Sequence, residues 1–507
     1  MSRADACRLG WRGTAVTLVA ILTAPAQRAT CQSVDARPLV IRGGTLIDGT
    51  GRPAVTDVVV VVRGARIECV GQAGDCPTDG DVRVIDARGR FLVPGLIDTH
   101  VHLHWATDSA GSRQVQELRF AYGITTVREA GTSGQLEANL ARRAAAAEGG
   151  RPTPRIFVSG VLVPGGTPGT DAPPAQVRRL AALGVNAIKL KDPLTLAEMA
   201  AVAVAAREVG LPVFGHVWTG EAPDFTPPVA PEVYDGVSHM YSIAPAAIRD
   251  PASLPPVPDD SASLDVRRLW NKGLWLAADH AMLEQRIQAL VQRHTWLEPL
   301  LVNEEHFAHS HETDDEDVPF TNFASVHRRL NEIRIPERSL EQRAQALDIV
   351  RHTRSFVKAF HDAGGMLVTG TDNAPIPGIS LHQELQTLVS SGLTASEALA
   401  AATRNAAIAL RAEDSLGTIE PGKVADVVIL AGDPLADIGH TRHIWRVVKA
   451  GVVHRPDLLL QSLRGEGLNV APASPKSKWP RRQVALVVLV SGLIVTAGLV
   501  QLRRRRG

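Results

Sequence analysis

The sequence predicts an α/β protein whose central part is built from repeated strand–helix units and whose flanks are rich in strands. Between residues 94 and 411, apolar segments such as GITTVREAG, NAIKLK and MLVTGTD alternate with alanine-rich helical segments that end in glycine. Glycine is common just after the last turn of a helix, and repeated strand–helix units imply parallel strands. The alternation alone fits either a closed (β/α)8 barrel or an open doubly wound sheet.

Strand-rich segments stand on both sides of this central part. Residues 38–93 contain Val- and Ile-rich runs broken by Gly and Asp-Gly, and similar runs return in residues 412–456. β-branched residues between such turn signals are typical of short strands. We therefore expect one small β-sandwich domain formed from both flanking segments, with residues 94–411 as the central domain.

The overall composition favours a folded protein that acts on a small molecule. The chain has 507 residues, of which 45% are hydrophobic and 21% are charged, as in an ordinary globular protein. Its 54 basic and 53 acidic residues leave a formal net charge of +1. A nucleic-acid partner is therefore not expected, because nothing indicates an excess of basic charge.

The amino terminus has the organisation of a secretory signal. Three arginines precede an apolar run, and the tripeptide Ala-Pro-Ala at residues 24–26 follows it as a small-residue cleavage site. We expect residues 1–26 to be removed on export. A buried N-terminal helix and a lipoprotein signal that uses Cys31 are the alternatives.

The carboxyl terminus predicts a membrane anchor. Residues 483–502 form an almost uncharged apolar helix, about long enough to cross ~30 Å of hydrocarbon, and residues 503–507 form a basic tail. The basic tail favours a cytoplasmic end. With residues 457–482 as a linker, the catalytic domain would lie on the periplasmic or extracellular side of the membrane. A cleaved sorting tail is the alternative interpretation.

Three cysteines would remain after removal of the signal: Cys31, Cys69 and Cys76. Cys69 and Cys76 are close enough in sequence to form a hairpin disulfide in an oxidising compartment. Unpaired thiols are an equally good interpretation. The spacing of the cysteines does not resemble a Cys-based zinc site.

Polar residues follow several of the apolar segments, where the carboxyl ends of parallel strands converge. His100 and His102 occupy alternate positions of FLVPGLIDTHVHLHW, so both side chains project from one face of a strand. Four further polar residues follow other apolar segments: Lys189, His216, His239 and Asp372. Each alone is readily explained as a hydrogen-bonded core or turn residue. Together they predict a metal site, since imidazole and carboxylate groups bind divalent metals.

The most distinctive segments are PGLIDTHVH, GITTVREAG, NAIK, VFGH, GVSH, GTD, and GLTASEALAAATRNAA followed by LGTIEPGKVADVVILAGDPL. With these segments, from about Leu39 to His454, the chain resembles the amidohydrolase superfamily. The resemblance is greatest to its imidazolonepropionase-like and metal-dependent prolidase-like branch. It implies that the strand–helix units close into a (β/α)8 TIM-type barrel and that the chain is a metal-dependent hydrolase.

The resemblance also implies a role for the candidate ligands. His100 and His102 would bind the more buried metal ion together with Asp372, while His216 and His239 would bind a second ion. Two Zn²⁺ ions are the expected cofactors. Iron, manganese and cobalt are alternatives, because these ligands do not discriminate sharply among the metals.

Lys189 and Asp372 have further implied roles. Carbon dioxide would carbamylate Lys189, which replaces a cationic amine with an anion that can bridge two metal ions. A hydroxide that bridges the ions would attack an amide-like carbonyl, and Asp372 would pass its proton to the leaving nitrogen. The expected activity is hydrolysis of a C–N bond in an amide, lactam or peptide-like substrate.

Two other activities remain open. An Xaa-Pro dipeptidase, with a dipeptide-like substrate, is the alternative within the enzymes. A non-catalytic barrel that binds a ligand at the cell surface is the alternative from another class. The presence of both Lys189 and Asp372 argues against the binding protein, because a degenerate member of the superfamily is expected to lose one of them.

The chain departs from the pattern of its branch at positions that bear on the substrate. Ser238 stands where relatives often have Glu, Glu129 stands where Asp is usual, and residues 164–167 read PGGT in place of a Gly-Gly-His element. These departures put in doubt any transfer of dipeptidase or imidazolonepropionase specificity. Three further residues are candidates for substrate contact, with core packing or solvation as the alternative: Tyr234, Tyr241 and His306.

Overall fold

A computed structural model describes most of the chain between residues 37 and 467. The described residues are 37–103, 109–148, 151–162, 171–190, 194–216, 233–240, 243–258, 261–309, 338–372, 374 and 376–467. The predicted signal, Cys31, Tyr241, the PGGT segment and the predicted membrane helix lie outside them. Within the described part, no helix is both long and apolar enough to cross a membrane.

The strands of the described residues are, in chain order, β1 (Leu39–Leu46), β2 (Val55–Arg63), β3 (Arg66–Gln72), β4 (Arg83–Asp86), β5 (Phe91–Pro94), β6 (Leu96–Val101), β7 (Ile124–Glu129), β8 (Arg155–Val161), β9 (Ala187–Leu190), β10 (Val213–Gly215), β11 (Gly236–Ser238), β12 (Trp296–Glu298), β13 (Val427–Leu430), β14 (Ile444–Lys449) and β15 (Val452–His454). They form two sheets, and the break between the two falls at Gly95, between β5 and β6.

The α-helices of the same residues are α1 (Ser109–Ala121), α2 (Leu136–Ala147), α3 (Pro173–Ala182), α4 (Leu196–Glu208), α5 (Leu264–Ala277), α6 (His280–Gln292), α7 (Leu301–Ala308), α8 (Leu340–Asp362), α9 (Ile379–Ser390), α10 (Ala395–Ala401), α11 (Arg404–Ala409) and α12 (Pro456–Gly467). Short 3-10 turns occur at Pro245–Ala247, Pro251–Ser253 and Ile438–Arg442.

The first sheet contains strands from both flanks of the chain. Its order is β15-β14-β13-β5-β1-β2-β3, with β4 beside β1. β13 runs antiparallel to β5, with Val428 opposite Val93, and so joins the late strands to the early ones. A disulfide between Cys69 and Cys76 fixes the loop that follows β3.

The second sheet is parallel throughout, and its strands follow the chain order from β6 to β12. Residues 366–372 lie between its two edges. Leu367 bridges Leu297 of β12, and Asp372 bridges Val101 of β6, both in parallel orientation. An open sheet would have two separate edges, whereas here both edges pair with one segment. The result is a nearly closed barrel of seven parallel strands, which confirms the predicted α/β class and excludes the open sheet.

The helices that follow the barrel strands pack around the barrel. In α8 the side chains of Ile349, Phe356 and Phe360 are buried, a spacing that places them on one face of the helix. A capping box between Ser339 and Gln342 starts this helix by satisfying its first free amide groups. Apolar periodicity and capping residues thus explain where the helix begins and which face it buries.

The two sheets are joined by polar contacts at the amino-terminal end of the barrel. Nη1 of Arg155, at the start of β8, lies 2.8 Å from Oδ2 of Asp426, the residue before β13. The ammonium of Lys449 donates to the carbonyl of Thr153 at 2.5 Å. These contacts hold the first sheet against the amino-terminal end of the barrel. His100 and its neighbours lie at the opposite end.

The first part of the predicted linker is helical. Residues 456–467 form α12, and its Leu463 is buried against Leu118 and Tyr122. Leu459, Leu460 and Leu463 are spaced so that they share a helix face, which is why this segment packs on α1. The rest of the predicted linker lies outside the described residues.

Candidate metal centre

Three of the predicted ligands meet where residues 366–372 pair with the end of β6. Nε2 of His102 lies 3.0 Å from Oδ1 of Asp372, and Nε2 of His100 lies 3.8 Å from the same oxygen. The candidate ligand atoms of the three residues all lie within 4.8 Å of one another. Donor atoms bound at about 2.0–2.2 Å to one ion lie roughly 3–4 Å apart, so the three side chains fit a single divalent metal ion.

Asp372 also faces the second pair of predicted ligands. Its Oδ2 lies 3.8 Å from Nε2 of His239, which follows β11. The ring centre of His239 lies 5.0 Å from those of both His100 and His216. The structure therefore brings the four histidines into one continuous cluster around the Asp372 carboxylate.

Lys189 joins this cluster from β9. Its side chain is buried, and its Nζ lies 4.8 Å from the ring centre of Phe214. The positive charge of Lys189 contributes to the lowered pKa of both His100 and His216, so the ammonium is close to both rings. A divalent cation would be repelled by that ammonium, whereas a carbamate at the same place would attract it.

Burial keeps three of the histidines neutral. It lowers the pKa of His100 to about 4, with the Lys189 charge as the next cause. Burial likewise holds the pKa of His216 and of His239 well below the usual range. Neutral imidazole is the form that binds a metal ion, so the surroundings of these rings favour coordination.

In contrast to the other three histidines, His102 has a raised pKa. Burial disfavours its charged form, but the carboxylates of Asp372 and Glu129 outweigh that effect and raise its pKa to about 9. The pKa of Asp372 is held well below its usual range, because its contact with His102 and the nearby histidines outweighs burial. Without a metal ion, His102 and Asp372 therefore form an ion pair.

Three residues at the carboxyl ends of the barrel segments have left-handed backbones: His239 (φ 63°), Leu300 (φ 56°) and Asp372 (φ 51°). Such conformations cost of order 1–3 kcal/mol for residues other than glycine. Hydrogen bonds hold two of them in place, since the amide of His239 donates to the carbonyl of Glu298 and that of Asp372 to the carbonyl of His100. The backbone therefore changes direction at His239 and Asp372, two of the candidate ligands.

Glu298, at the end of β12, lies directly behind His100 and was missed by the sequence analysis. Nδ1 of His100 lies 2.6 Å from Oε2 of Glu298, and the hydroxyl of Ser238 donates to the same oxygen at 2.6 Å. Nη2 of Arg128 donates to Oε1 at 2.8 Å. Burial would raise the pKa of Glu298, but Arg128 and His100 outweigh it and keep the pKa far below the usual range. Its signal in the sequence was a charged residue within the apolar segment TWLEPLLV.

Arg128 is buried next to Glu298 in the barrel interior. Its guanidinium lies 3.6 Å from the ring centre of Phe214 and 5.0 Å from that of Trp296, and its Nε donates to the carbonyl of Thr99 at 2.7 Å. A fully buried arginine is stable only with an anionic partner and stacking surfaces of this kind. The ion pair of Arg128 and Glu298 therefore closes the barrel interior below the histidines.

Glu129, where the branch usually has Asp, acts behind His102. The hydroxyl of Thr132 donates to Oε1 of Glu129 at 2.5 Å, and Gly131 donates its amide to Oε2 at 3.0 Å. Nδ1 of His102 lies 3.0 Å from the same Thr132 hydroxyl. Because the single hydroxyl proton is directed at Glu129, the oxygen accepts from Nδ1 of His102, which directs Nε2 towards Asp372.

Asp98 connects β6, which contains His100, to residues 366–372, which contain Asp372. Its Oδ1 accepts from the amides of His100 at 3.3 Å and Thr371 at 3.1 Å, and its Oδ2 accepts from the Thr371 hydroxyl at 2.7 Å. Burial raises the pKa of Asp98 to about 7, although the charge of Arg119 opposes this. Asp98 thus holds residues 366–372 in register with β6.

The structure places two of the three candidates for substrate contact. Tyr234 lies before β11, at the opposite end of that strand from His239, and its hydroxyl donates to the carbonyl of His216 at 2.9 Å. His306 lies half-buried on α7. Tyr241 lies outside the described residues. Tyr234 therefore contacts the backbone of a candidate ligand.

A cavity of about 790 Å³ lies at the other end of the barrel. Among its lining residues are Tyr234, Asp235, His294 and Arg411. Tyr234, Asp235 and His294 precede their strands, whereas the candidate ligands end or follow theirs. Because the strands are parallel, this cavity lies at the opposite end of the barrel from the four candidate ligand histidines. It is therefore not the candidate metal centre.

Comparisons with known proteins agree with this architecture. The sequence profile of the amidohydrolase family matches residues 276–454. The imidazolonepropionase of Idiomarina loihiensis is 36% identical over 109 residues, which are 21% of this chain and 26% of that protein. The N-acyl-D-aspartate deacylase of Alcaligenes xylosoxydans xylosoxydans is 42% identical over 106 residues, 20% of this chain and 19% of that protein. The chain thus spans about a quarter or less of these curated relatives.

A likeness to solved structures extends over most of the chain. A crystal structure of an Xaa-Pro dipeptidase with bound methionine superposes with a TM-score of 0.58 at 21% identity, covering 82% of this chain and all of the other. At this identity the likeness shows a shared fold. The barrel brings a histidine–carboxylate cluster together at the carboxyl ends of its strands. The family profile and the curated relatives each match a part of the chain, and together they support its resemblance to the amidohydrolase superfamily.

Proposed function

We propose that the chain is a metal-dependent amidohydrolase that cleaves a C–N bond in an amide, lactam or peptide-like small molecule. The observation that carries this proposal is the convergence of His100, His102 and Asp372, whose ligand atoms lie within 4.8 Å of one another. His239 and His216 continue the same cluster. The names of the relatives, an imidazolonepropionase and an N-acyl-D-aspartate deacylase, support hydrolysis of such a bond.

The centre would hold two divalent ions, for which Zn²⁺ is our proposal. One would be held by the cluster of His100, His102 and Asp372, and the other by His216 and His239. Carbamylated Lys189 would serve both. When bound, the ions would supply Lewis acidity that activates water and polarises a carbonyl group.

Asp372 would move the proton in the reaction. Its Oδ1 faces His100 and His102, and its Oδ2 faces His239, so the carboxylate lies between the two sets of ligands. From there it would accept a proton from the attacking water and deliver it to the leaving nitrogen. Its pKa is held well below the usual range, so the carboxylate is ionised at neutral pH.

The two alternatives have less support. An Xaa-Pro dipeptidase is suggested by a structural neighbour that shares the fold, and no contact of the described residues favours a proline substrate over another amide. A non-catalytic binding protein would not need to keep a buried lysine next to buried histidines, since removing an ammonium group from water is costly.

The domain organisation and location of the protein are also proposals. We propose a (β/α)8 barrel of residues 94–411 and a β-sandwich domain of residues 38–93 and 412–456. Export by residues 1–26 and anchoring by residues 483–502 would place the catalytic domain outside the cytoplasm. The disulfide between Cys69 and Cys76 supports an oxidising compartment.

The decisive experiment measures metal and turnover together. The full chain is purified in detergent, its metal content is determined by mass spectrometry, and hydrolysis of N-acyl amino acids, lactams and Xaa-Pro dipeptides is followed by product identification. We expect about two ions per chain and turnover of at least one substrate class. Asp372→Asn should reduce turnover by at least about a thousandfold, because it removes both a ligand and the proton acceptor.

Other outcomes separate the alternatives. Turnover confined to Xaa-Pro dipeptides would establish the dipeptidase. Stoichiometric metal without turnover of any substrate would favour the binding protein. A wild-type chain that binds no metal under any loading condition would overturn the assignment.

A further inference from the structure

Glu298 is a buried carboxylate whose two oxygens both meet hydrogen-bond donors. Oε1 accepts from Nη2 of Arg128 at 2.8 Å and contacts the hydroxyl of Thr99. Oε2 accepts from the hydroxyl of Ser238 at 2.6 Å and lies 2.6 Å from Nδ1 of His100. A carboxylate in such surroundings acts as an acceptor at both oxygens, and Arg128 balances its charge.

This arrangement decides which nitrogen of His100 carries the proton. Nδ1 faces an acceptor, so Nδ1 is the protonated nitrogen and donates to Oε2 of Glu298. Nε2 then has a free lone pair. That nitrogen lies 3.8 Å from Oδ1 of Asp372, on the side of the ring where the candidate ligand atoms converge.

We propose that Glu298 is a positioning residue, which holds the His100 ring in the orientation and tautomer that present Nε2 to the metal ion. The inference rests on the proposed function, because it concerns the metal centre of that function. Glu298 itself is not a ligand in this scheme. It lies on the Nδ1 side of the ring, and its oxygens are occupied by Arg128, Ser238 and His100.

Arg128 and Ser238 give Glu298 its own fixed position. Arg128 is held by its bond to the carbonyl of Thr99 and by the ring of Phe214, so the guanidinium cannot rotate away from Oε1. Ser238 ends β11, next to His239, and anchors Oε2. The serine that replaces the usual glutamate of this branch therefore supports a carboxylate supplied by the neighbouring strand β12.

Replacement by an amide tests the tautomer directly. In Glu298→Gln the amide oxygen should face Arg128, a group that can only donate, which directs the amide NH2 at Nδ1 of His100. Nδ1 would then accept, and the proton would move to Nε2 and block coordination. Loss of such a partner behind a ligand typically lowers metal affinity by about 10–100-fold, and we expect that range here.

A matched control separates positioning from general stability. Asp426→Asn also breaks a pair between an arginine and a buried carboxylate, since Nη1 of Arg155 lies 2.8 Å from Asp426, but it does so at the other end of the barrel. The metal-free full-length wild type and both variants are titrated with Zn²⁺ by calorimetry, and the visible spectra of their Co²⁺ forms are compared. We expect weaker binding and an altered Co²⁺ spectrum only in Glu298→Gln.

The outcomes distinguish this inference from the proposed function. A wild type that binds neither Zn²⁺ nor Co²⁺ would refute the proposed function. A wild type that binds them, with Glu298→Gln unchanged in both affinity and spectrum, would overturn the role of Glu298 alone. An equal loss in Asp426→Asn would also overturn it, because the effect would then be one of stability.

A measurement on the wild type covers the case in which Glu298→Gln does not fold. Long-range ¹H–¹⁵N spectra of the Zn²⁺-loaded protein report which nitrogen of each histidine is protonated, and the conservative variant Ser238→Ala helps to assign the His100 signals. We expect a protonated Nδ1 and a coordinated Nε2 for His100. A coordinated Nδ1 would contradict the proposal.

Discussion

Nε2 of His102 lies 3.0 Å from Oδ1 of Asp372, and this contact joins the end of β6 to residues 366–372, the segment that closes the barrel. The two side chains form an ion pair in the metal-free protein and would become neighbouring ligands of a bound metal ion. The metal centre and the closure of the barrel therefore depend on the same pair of chain segments.

Removal of the metal ions should consequently destabilise the whole barrel. A ligand that binds only the folded state adds stability that grows with its concentration, about 4 kcal/mol at a thousandfold excess over Kd. We expect a chelator to lower Tm by several degrees and added Zn²⁺ to restore it, measured by circular dichroism. An unchanged Tm in a protein shown to have lost its metal would contradict this prediction.

Thr132 should be needed for tight metal binding because its hydroxyl connects His102 to Glu129. Thr132→Val keeps the shape of the side chain but removes the hydroxyl that lies 3.0 Å from Nδ1 of His102. We expect metal affinity to fall by about tenfold and stability by about 1–3 kcal/mol. Thr132→Ser, which keeps the hydroxyl, is the control for calorimetric titration and urea unfolding. Equal affinities of the valine and serine variants would show that the hydroxyl has no such role.

Gly370 should be intolerant of a side chain because His100 occupies the adjacent space. A Cβ at this position would lie 2.6 Å from Cβ of His100 and 2.8 Å from Cδ2 of Leu300. We expect Gly370→Ala to cost about 1–3 kcal/mol and to weaken metal binding, since His100 must move. Gly273→Ala in α5, where Cβ would meet only the flexible end of Gln345 at 3.2 Å, is the control. It should bind metal normally, as unfolding curves and metal titrations will show.

His382 should make the protein sensitive to acid. Burial lowers its pKa to about 3, and the nearby Arg442 and His443 add to this, although its bond to the carbonyl of Tyr122 opposes the shift. The unfolded chain takes up a proton below a pKa of ~6.5 while the folded state does not. Stability is therefore lost as pH falls from ~6.5 towards 3, by about 1.4 kcal/mol per pH unit.

His382→Gln isolates this contribution. Urea unfolding of the wild type and the variant at pH 7.5, 6.5, 5.5 and 4.5 gives the difference in unfolding free energy at each pH. We expect the variant to be less stable at pH 7.5, because the hydrogen bond between Nδ1 of His382 and the hydroxyl of Thr441 is lost. The difference should shrink steadily below pH 6.5. A difference that is constant over this range would show that His382 does not titrate as described.

Lys189 provides a test of the proposed carbamate. Because an ammonium at this buried position would repel divalent ions, metal loading should depend on dissolved carbon dioxide. We expect metal-free protein in CO2-depleted buffer to bind Zn²⁺ at least about tenfold more weakly than in buffer with bicarbonate. Lys189→Met, which cannot form a carbamate, should show no response to bicarbonate. A wild type that binds equally in both buffers would refute the carbamate.

The parts of the metal centre that reside within one strand were predictable from the sequence. His100 lies in β6 and His102 directly follows that strand, and the period of two along a strand predicts that both side chains project from one face. Lys189, His216, His239 and Asp372 were predictable because a polar group at the end of an apolar strand needs a partner. Glu298 obeys the same rule and was missed, because TWLEPLLV matched no segment of the family resemblance.

The sequence by itself determined the α/β class, the composition of the strands and the identity of the candidate ligands, because these depend on local periodicity and on residue chemistry. Only the tertiary structure decided how the ligands are oriented. Glu298 reaches His100 from the other edge of the sheet, and it does so because residues 366–372 bring β12 close to β6. Thr132 and Glu129 act on His102 through contacts between neighbouring strands, and Leu463 of α12 is buried against Leu118 and Tyr122. Such contacts depend on the closure of the barrel, a property of all its strands together that no single segment of sequence encodes.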